Sequence, residues 1–139
     1  TLWMTGRGEG IQPVPGLPPA PLVLVNPGVA VSTAQIFANL KNRVGIGQAA
    51  KPKADLSVLA LADYFKSNRN DLEKPAREIA PAIDEALQAI SHSGALRTRM
   101  SGSGATCFGL FADDKSAETA AAKIAGDHPD WWVKKARIQ

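Results

Sequence analysis

One glycine-rich segment, residues 101–106, contains the residue types that could contact an anionic group. It reads Ser101-Gly102-Ser103-Gly104-Ala105-Thr106, and Arg99 stands two residues ahead of it. Two glycines one residue apart allow a tight turn that presents backbone amides, and three hydroxyls add further donors. The segment lacks the Gly-Lys-Ser/Thr of a P-loop, and the third glycine of a dinucleotide fingerprint would fall at Cys107. From the residues alone it is either a phosphate cradle or a plain hairpin turn.

The other chemically active side chains predict no catalytic centre. Cys107 stands in an apolar run with Phe108, which favours a small buried hydrophobe over a nucleophile. His92 and His128 are too isolated in the sequence for a metal site, and a single cysteine rules out a thiolate cluster. No metal site and no acid–base pair is predicted.

The glycine-rich segment is expected to join two strands of an α+β fold. An apolar strand is predicted at 22–25, a short helix at about 34–41 and a second helix through Phe65. A helical stripe runs from Leu72 to Ile90, Pro81 should split it, and Asn70 or Asp71 is expected to cap its start. Strands at 96–100 and 106–112, a helix at 115–125 and a strand at 131–138 complete the pattern. The order predicts a ferredoxin-like antiparallel sheet of about four strands, with helices packed on one face.

Residues 1–21 differ in character from the rest of the chain. A strand is predicted at Leu2 to Met4, and five prolines between 12 and 21 predict a stiff connector without secondary structure. The chain opens in an extended, half-apolar run without an initiator methionine. We therefore expect a piece of a longer protein, with residues 1–21 as an arm from a missing half and 22–139 as one domain.

Composition narrows the class of protein. The chain has 139 residues, of which 45% are hydrophobic, and this balance is typical of a globular domain. No apolar run approaches the ~18 residues of a membrane span, so no membrane contact is expected. A net charge of +3 and only eight aromatic residues make nucleic-acid binding a weak alternative. A cytoplasmic protein is predicted.

Four segments taken together, in their order and spacing, resemble a known family. They are Gly6-Arg7-Gly8-Glu9; Val25-Asn26-Pro27-Gly28-Val29 followed by Ser32-Thr33 and Ile36-Phe37; Asn70-Asp71-Leu72-Glu73; and Arg99-Met100 leading through the glycine-rich segment to Cys107-Phe108. They resemble the C-terminal half of the GHMP family of small-metabolite kinases, which includes galactokinase, homoserine kinase and mevalonate kinase. The Pro-Gly-Val…Thr…Phe segment resembles, more narrowly, the branch that acts on a cytidine-diphosphate-linked methylerythritol.

This resemblance implies an ATP- and Mg²⁺-dependent kinase of the non-mevalonate isoprenoid route, which phosphorylates the 2-hydroxyl of CDP-methylerythritol. In such enzymes an N-terminal domain carries the ATP loop and the catalytic Lys and Asp, and the C-terminal domain closes the other wall of the cleft. No segment of this chain matches that loop or those catalytic residues. The resemblance therefore implies no catalytic residue in this chain, a missing N-terminal domain as its partner, and no turnover or cofactor binding by the chain alone.

The resemblance also implies two sites. Phe37 matches the aromatic residue that packs on the cytosine ring, and Thr33 matches a residue lining the same pocket. Without the resemblance, Phe37 is interpreted as a core-facing helix residue. The glycine-rich segment, 101–106, matches the family motif beside the transferred phosphate. Arg99 is expected to support either that loop or a phosphate.

Three alternatives remain open from the sequence. A different GHMP kinase would explain the glycine-rich segment equally well, but not the segment from Thr33 to Phe37. A stand-alone ferredoxin-like regulatory module would bind a small effector without any catalytic partner. A basic module that binds nucleic acid is the third alternative, and a steep salt dependence of its affinity would identify it.

Overall fold

The computed structural model describes residues 2–5, 10–14, 16–40, 51–53 and 56–138. The Gly6-Arg7-Gly8-Glu9 segment and most of residues 41–55 lie outside these ranges. The described chain forms two strands, β1 (Leu2–Thr5) and β2 (Gly10–Pro13), and then the main domain. The strands of that domain are β3 (Pro21–Asn26), β4 (Arg97–Met100), β5 (Cys107–Leu110) and β6 (Trp132–Arg137). Its helices are α1 (Thr33–Asn39), α2 (Val58–Ser67), α3 (Glu73–Ile79), α4 (Ala82–His92) and α5 (Asp114–Asp127).

The four strands of the main domain form one antiparallel sheet in the order β4-β5-β3-β6. Central β3 pairs with β5 on one side, Val25 opposite Cys107, and with β6 on the other. Helices connect β3 to β4 and β5 to β6, so two interleaved strand–helix–strand units share the sheet, as in a ferredoxin-like fold. The predicted α+β fold with a four-stranded antiparallel sheet is confirmed.

The main core lies between one face of this sheet and the helices that follow the predicted stripe. Alternate residues of β3, Val23 and Val25, are fully buried and meet side chains of α4 and α5. Ile83 and Ile90 of α4 are also fully buried, as the periodicity predicts. The expected helix break at Pro81 is confirmed, since α3 ends at Ile79 and α4 begins at Ala82.

The expectation that the helices pack on one face needs correction for one of them, because α2 lies on the opposite face of the sheet. Leu61 of α2 is buried in a second cluster with Leu110 of β5. The Phe65 ring meets the Phe108 ring edge-on at a centroid distance of 5.7 Å. Cys107 lies in the main core, and its strand neighbour Phe108 faces the opposite side of the sheet. Helix α2 therefore covers the face of the sheet that the other helices leave open. No helix in the described ranges is long and apolar enough to cross a membrane.

Two local predictions need correction. The connector expected from residue 12 onward begins later, because β2 includes Gln12 and Pro13, which pair with Trp3 and Leu2. A proline is compatible with this position because a two-stranded ribbon leaves one side of each strand unpaired. The helix cap expected at Asn70 or Asp71 lies one or two residues before the observed N-cap of α3, which is Leu72 and makes no side-chain cap hydrogen bond. Asn70 still contributes at the helix start, because its Oδ1 accepts from the Leu72 amide at 3.1 Å.

Candidate functional site

The glycine-rich loop, residues 101–106, is the turn of the hairpin between β4 and β5. The Ser101 amide donates to the Thr106 carbonyl at 2.8 Å, and the Gly104 amide donates to the Ser101 carbonyl at 3.0 Å. Gly102 and Gly104 have φ values of +55° and +92°, which glycine adopts without steric cost. Ser101 and Gly102 are exposed. The hairpin prediction is therefore confirmed, and the loop presents its polar groups to solvent.

Two backbone amides of the loop are free to bind a ligand. Within the described part of the chain, neither the Gly102 nor the Ser103 amide donates a hydrogen bond. Successive amides in a turn of this kind form a concave surface that suits an anion. The hydroxyls of Ser101 and Ser103 lie on the same loop, so the segment can contact a phosphate through neutral donors alone.

The start of α3 holds the first half of the loop. The Asn70 side-chain amide donates to the carbonyls of Met100 and Gly102, at 3.0 and 2.8 Å. Its Oδ1 accepts from the Leu72 amide at 3.1 Å, which fixes the orientation of the amide group. Glu73 Oε2 accepts from the Met100 amide at 2.9 Å. These contacts connect residues about 30 positions apart in the chain.

The end of β3 holds the second half of the loop. Asn26 Nδ2 donates to the Thr106 hydroxyl oxygen at 3.0 Å. Asn26 Oδ1 accepts from the Gly28 amide at 2.9 Å, and Gly28 has a φ of +74°. Asn26 therefore connects the turn after β3 to the loop before β5. The turn and the loop are adjacent because β3 and β5 pair.

Helix α1 is hydrogen-bonded to the loop and carries an exposed aromatic ring. The hydroxyls of Thr33 and Ser103 are 3.0 Å apart and share a hydrogen bond. Phe37 stands one helical turn after Thr33, on the same face, and is 50% exposed. The fully buried Ile36 anchors α1 in the core, and Ser32 caps the helix by accepting from the Gln35 amide. The interpretation of Phe37 as a core residue is thus wrong.

This arrangement fits a ligand with two unlike parts. The exposed Phe37 ring can stack on a planar ring, and the amides and hydroxyls of the loop can contact an anion. The Thr33–Ser103 hydrogen bond connects the two surfaces directly. Of the residues singled out in the sequence, Thr33 contacts the loop at 101–106 directly, and Phe37 lies one helical turn further along the same face of α1.

Arg99 lies elsewhere. Its guanidinium donates to the Phe65 carbonyl and lies 5.8 Å from the centroid of the Phe65 ring, against α2. Burial lowers the pKa of the Arg99 guanidinium, and the neighbouring Arg97 lowers it further. Within the described residues, its side chain has no contact with the loop at 101–106.

Cys107 is fully buried, as the sequence predicts. Burial raises the pKa of its thiol to about 12, with a smaller contribution from Glu73, so the thiol stays protonated at neutral pH. His92 is exposed, and His128 stacks on Trp131 at 3.7 Å. Among the described residues, no group of three or more His, Cys, Asp or Glu side chains is placed to hold a metal ion.

Sequence reasoning missed the residues that hold the loop: Asn26, Asn70 and Glu73. Asn70 and Glu73 have the spacing of a helix-start signal, so the sequence indicated only a local role for them. Their partners, Met100 and Gly102, are 27 to 32 residues away in the chain. Asn26 precedes Pro27-Gly28, so its sequence context indicates only a turn. One sign was present in the sequence, since Asn26 and Asn70 are polar residues at the ends of predicted elements.

The chain is similar in sequence to a known protein family and to several curated enzymes. The family model described as GHMP kinases C terminal matches residues 56–129. The 4-diphosphocytidyl-2-C-methyl-D-erythritol kinase of Dinoroseobacter shibae is 47% identical over 131 residues, which cover 94% of this chain and 46% of the relative. An enzyme of the same name from Methylorubrum extorquens is 49% identical over 140 residues, covering 97% of this chain and 48% of the relative.

A solved structure agrees with these sequence matches. The crystal structure of a 4-(cytidine 5'-diphospho)-2C-methyl-D-erythritol kinase superposes with a TM-score of 0.67 and 26% identity. The superposition covers 94% of this chain and 47% of the other. The chain therefore spans about half the length of the relatives that it matches.

Proposed function

The chain belongs to the GHMP kinase family through its C-terminal domain, and from this premise we propose that it forms the substrate-side half of a CDP-methylerythritol kinase. The proposed enzyme transfers the γ-phosphoryl group of ATP to the 2-hydroxyl of CDP-methylerythritol, a step of non-mevalonate isoprenoid synthesis. We place it in the cytoplasm, where ATP is available.

One observation carries the proposal: helix α1 is hydrogen-bonded to a phosphate-type loop through Thr33, and one turn further along the same helix face it exposes the aromatic ring of Phe37. Phe37 would stack on the cytosine ring, with Thr33 lining the same pocket, and residues 101–106 would lie beside the phosphoryl group in transfer. The substrate has this bipartite form, with a planar base at one end and the reacting alcohol beyond the diphosphate. The names of the relatives support the same substrate.

The proposed step needs little covalent chemistry from this half. The alcohol oxygen bonds to the γ-phosphorus while the bond from that phosphorus to the bridging oxygen breaks. The alcohol proton passes to a base, and ADP leaves with the electron pair. Amides and hydroxyls of the loop would stabilise negative charge on the phosphoryl oxygens. We assign the base, the catalytic Lys and the ATP loop to an N-terminal half that this chain does not contain.

Mg²⁺ would accompany ATP in such a reaction. The loop donors suit phosphate oxygens, but the described residues offer no cluster of metal ligands. We therefore assign the binding of Mg²⁺ to the other half and to ATP itself. Arg99 is assigned to the contact between β4 and α2, since its guanidinium is engaged by Phe65.

We propose the division at residue 21 as the border with the other half. Residues 22–139 include all five described helices. They also include the whole four-stranded sheet except its first residue, Pro21. The strands β1 and β2 form a separate ribbon that pairs with none of the sheet strands in the described part of the chain. The N-terminal half of the enzyme is the expected partner of that ribbon.

The role of Phe37 is testable in the full open reading frame that contains this chain. We expect Phe37→Ala to raise KM for CDP-methylerythritol roughly 5- to 150-fold, since base–aromatic stacking contributes about 1–3 kcal/mol. KM for ATP should be unchanged. Leu59→Ala is the matched control, because Leu59 is a large apolar side chain, 63% exposed on α2. Steady-state ADP release measures both constants in each variant.

Competition by cytidine nucleotides distinguishes this proposal from its alternatives. CDP should inhibit the unaltered protein competitively against CDP-methylerythritol, and Phe37→Ala should weaken that inhibition. Equal inhibition of both proteins would contradict the stacking role. Turnover of homoserine or mevalonate without any effect of CDP would instead identify another kinase of the family.

A further inference from the structure

We propose that Asn70 and Glu73 are positioning residues that fix the shape of the glycine-rich loop by acting as a substitute for a neighbouring strand. The inference goes one step beyond the proposed function and rests on it for its kinetic consequence. Its structural part concerns β4, the edge strand of the sheet, and needs no assumption about the reaction.

The hydrogen-bond pattern of the hairpin shows which backbone groups of β4 lack a strand partner. The Ser101 amide donates to the Thr106 carbonyl, so these two residues form a hydrogen-bonded pair. Hydrogen-bonded and non-hydrogen-bonded pairs alternate along antiparallel strands. Met100, opposite Cys107, is therefore in a non-hydrogen-bonded pair. Its N–H and C=O both point away from β5, toward the open side of the sheet.

Both of these outward groups are satisfied by side chains of opposite character. The Glu73 carboxylate accepts from the Met100 N–H, and the Asn70 amide donates to the Met100 C=O. The same amide continues to the Gly102 carbonyl, inside the loop. A neighbouring strand would offer an acceptor and a donor in the same way, but it would also leave no room for a ligand beside the loop.

The start of α3 serves the helix and the loop with the same two side chains. Asn70 accepts from the Leu72 amide with its Oδ1, which leaves its two N–H groups directed at Met100 and Gly102. Glu73 accepts from the Met100 amide with Oε2, while its Oε1 lies 3.9 Å from Arg77 Nη1 one turn further along α3. Both side chains are therefore held by their own helix in the orientation that the loop requires.

The chain offers variants that separate the two hydrogen-bonding groups. Asn70→Asp keeps the acceptor for Leu72 but places a carboxylate oxygen against two carbonyls. Glu73→Gln keeps an acceptor for the Met100 amide, whereas Glu73→Ala removes it. Asp71→Asn is the matched control on the same turn, since Asp71 is exposed and bonds to Arg69.

Two measurements test the inference. The first is hydrogen exchange in the 139-residue chain, where Asn70→Asp and Glu73→Ala should speed exchange at the Met100 amide while leaving β3 protected. The second is steady-state kinetics of the full open reading frame. Because a displacement of about 1 Å at a reacting centre costs roughly 100-fold in rate, kcat should fall by about that factor in both variants. KM for CDP-methylerythritol should stay close to that of Asp71→Asn, and Glu73→Gln should recover most of the kcat lost in Glu73→Ala. The melting temperature should fall by a few degrees in Asn70→Asp and Glu73→Ala, because each change leaves a backbone group of Met100 without its partner, and the assays are therefore run well below it.

The outcomes are distinguishable. Faster Met100 exchange together with the selective loss of kcat supports the inference. Exchange and kcat equal to those of Asp71→Asn, in a protein that does phosphorylate CDP-methylerythritol, overturn it while the proposed function stands. If the unaltered protein phosphorylates no substrate of the family, the proposed function fails, and the kinetic half of the inference is overturned with it. Unchanged Met100 exchange overturns the structural half in any case.

Discussion

At the scale of single residues, the glycine-rich loop depends on backbone freedom at Gly104. This residue has a φ of +92°, and a Cβ atom there would lie 2.9 Å from Met100 Sδ and 3.5 Å from Ile83 Cδ1. Met100 is buried, so its side chain would have to shift to admit that atom, whereas 3.5 Å from Ile83 is an ordinary van der Waals contact. The position therefore disfavours side chains chiefly through its backbone conformation, and the approach to Met100 adds to the cost.

We expect Gly104→Ala to lower the free energy of unfolding by at least about 1–2 kcal/mol, the usual cost of a left-handed conformation for a residue with a Cβ. Urea denaturation of the 139-residue chain measures this. Gly126→Ala is the control, because Gly126 lies inside α5 with nothing within 4 Å of its Cβ position. Alanine there should stabilise the chain by about 0.5–1 kcal/mol.

Equal stability of the Gly104→Ala and Gly126→Ala chains would show that the loop relaxes freely around residue 104. In the full enzyme the larger change Gly104→Val is expected to abolish turnover, because it blocks close approach of the loop backbone to a phosphate. Unchanged kcat and KM for ATP in that variant would contradict the assignment of the loop.

Residue types alone predict the glycine-rich loop of this site but not the residues around it. Gly102 and Gly104 mark a tight turn wherever they stand, so the loop could be predicted from local sequence. Thr33 and Phe37 needed the resemblance to a family, because an aromatic residue on a short helix is otherwise typical of a core. Asn70 needed the fold itself, since its partners Met100 and Gly102 are 30 and 32 residues away.

At the scale of elements, the contact of α4 with β5 determines how the hairpin sits against the core. Gly109 lies on β5 directly below α4, and a Cβ atom at that position would be 2.2 Å from Ile90 Cγ2 and 3.1 Å from Ala95 Cβ. The absence of a side chain at residue 109 therefore allows α4 to approach the sheet. The loop at 101–106 begins at the far end of the same strand pair.

We expect Gly109→Ala to destabilise the 139-residue chain by about 1–3 kcal/mol or more, the range found for overpacked cores. Ile90→Ala removes the atom that would clash and leaves a cavity, so alone it should cost about 2–5 kcal/mol. The double variant should lose less stability than the sum of the losses in the two single variants. The reason is that the alanine at residue 109 fills part of the cavity left at residue 90, and the cavity removes the clash with residue 109. Denaturation of all four chains completes the cycle.

Strict additivity in this cycle would show that α4 and β5 separate freely at Gly109, which contradicts their close approach.

The boundaries of the other elements could be predicted from the sequence only in part. Pro81 separates α3 from α4 as expected, since proline removes a hydrogen bond and clashes with the preceding turn. The β1–β2 ribbon was missed at Pro13 because strand pairing with Leu2 is a non-local contact that a proline count does not reveal.

At the scale of the whole molecule, the sheet order brings one site together from four separate parts of the chain. The end of β3, the start of α1, the start of α3 and the β4–β5 hairpin all meet at one end of the sheet. Asn26, Thr33, Asn70 and Glu73 each contribute a hydrogen bond to the hairpin there. The α+β class was predictable from element order, whereas this convergence required the strand order β4-β5-β3-β6.

We propose that the two halves of the enzyme have different roles. In this proposal the present half supplies a stacking ring and a loop of neutral donors, and the other half supplies the ATP loop and the catalytic charges. Chemistry of this kind depends on positioning and charge stabilisation, so neither half is expected to act alone.

The most direct test is ADP release from ATP and CDP-methylerythritol, with the product identified by ³¹P NMR. The full open reading frame that contains this chain should release ADP in step with phosphorylation of the 2-hydroxyl, and the 139-residue chain should release none. Turnover by the 139 residues alone would contradict the division of labour. Turnover of a different alcohol by the full protein, with CDP-methylerythritol left unchanged, would contradict the proposed substrate.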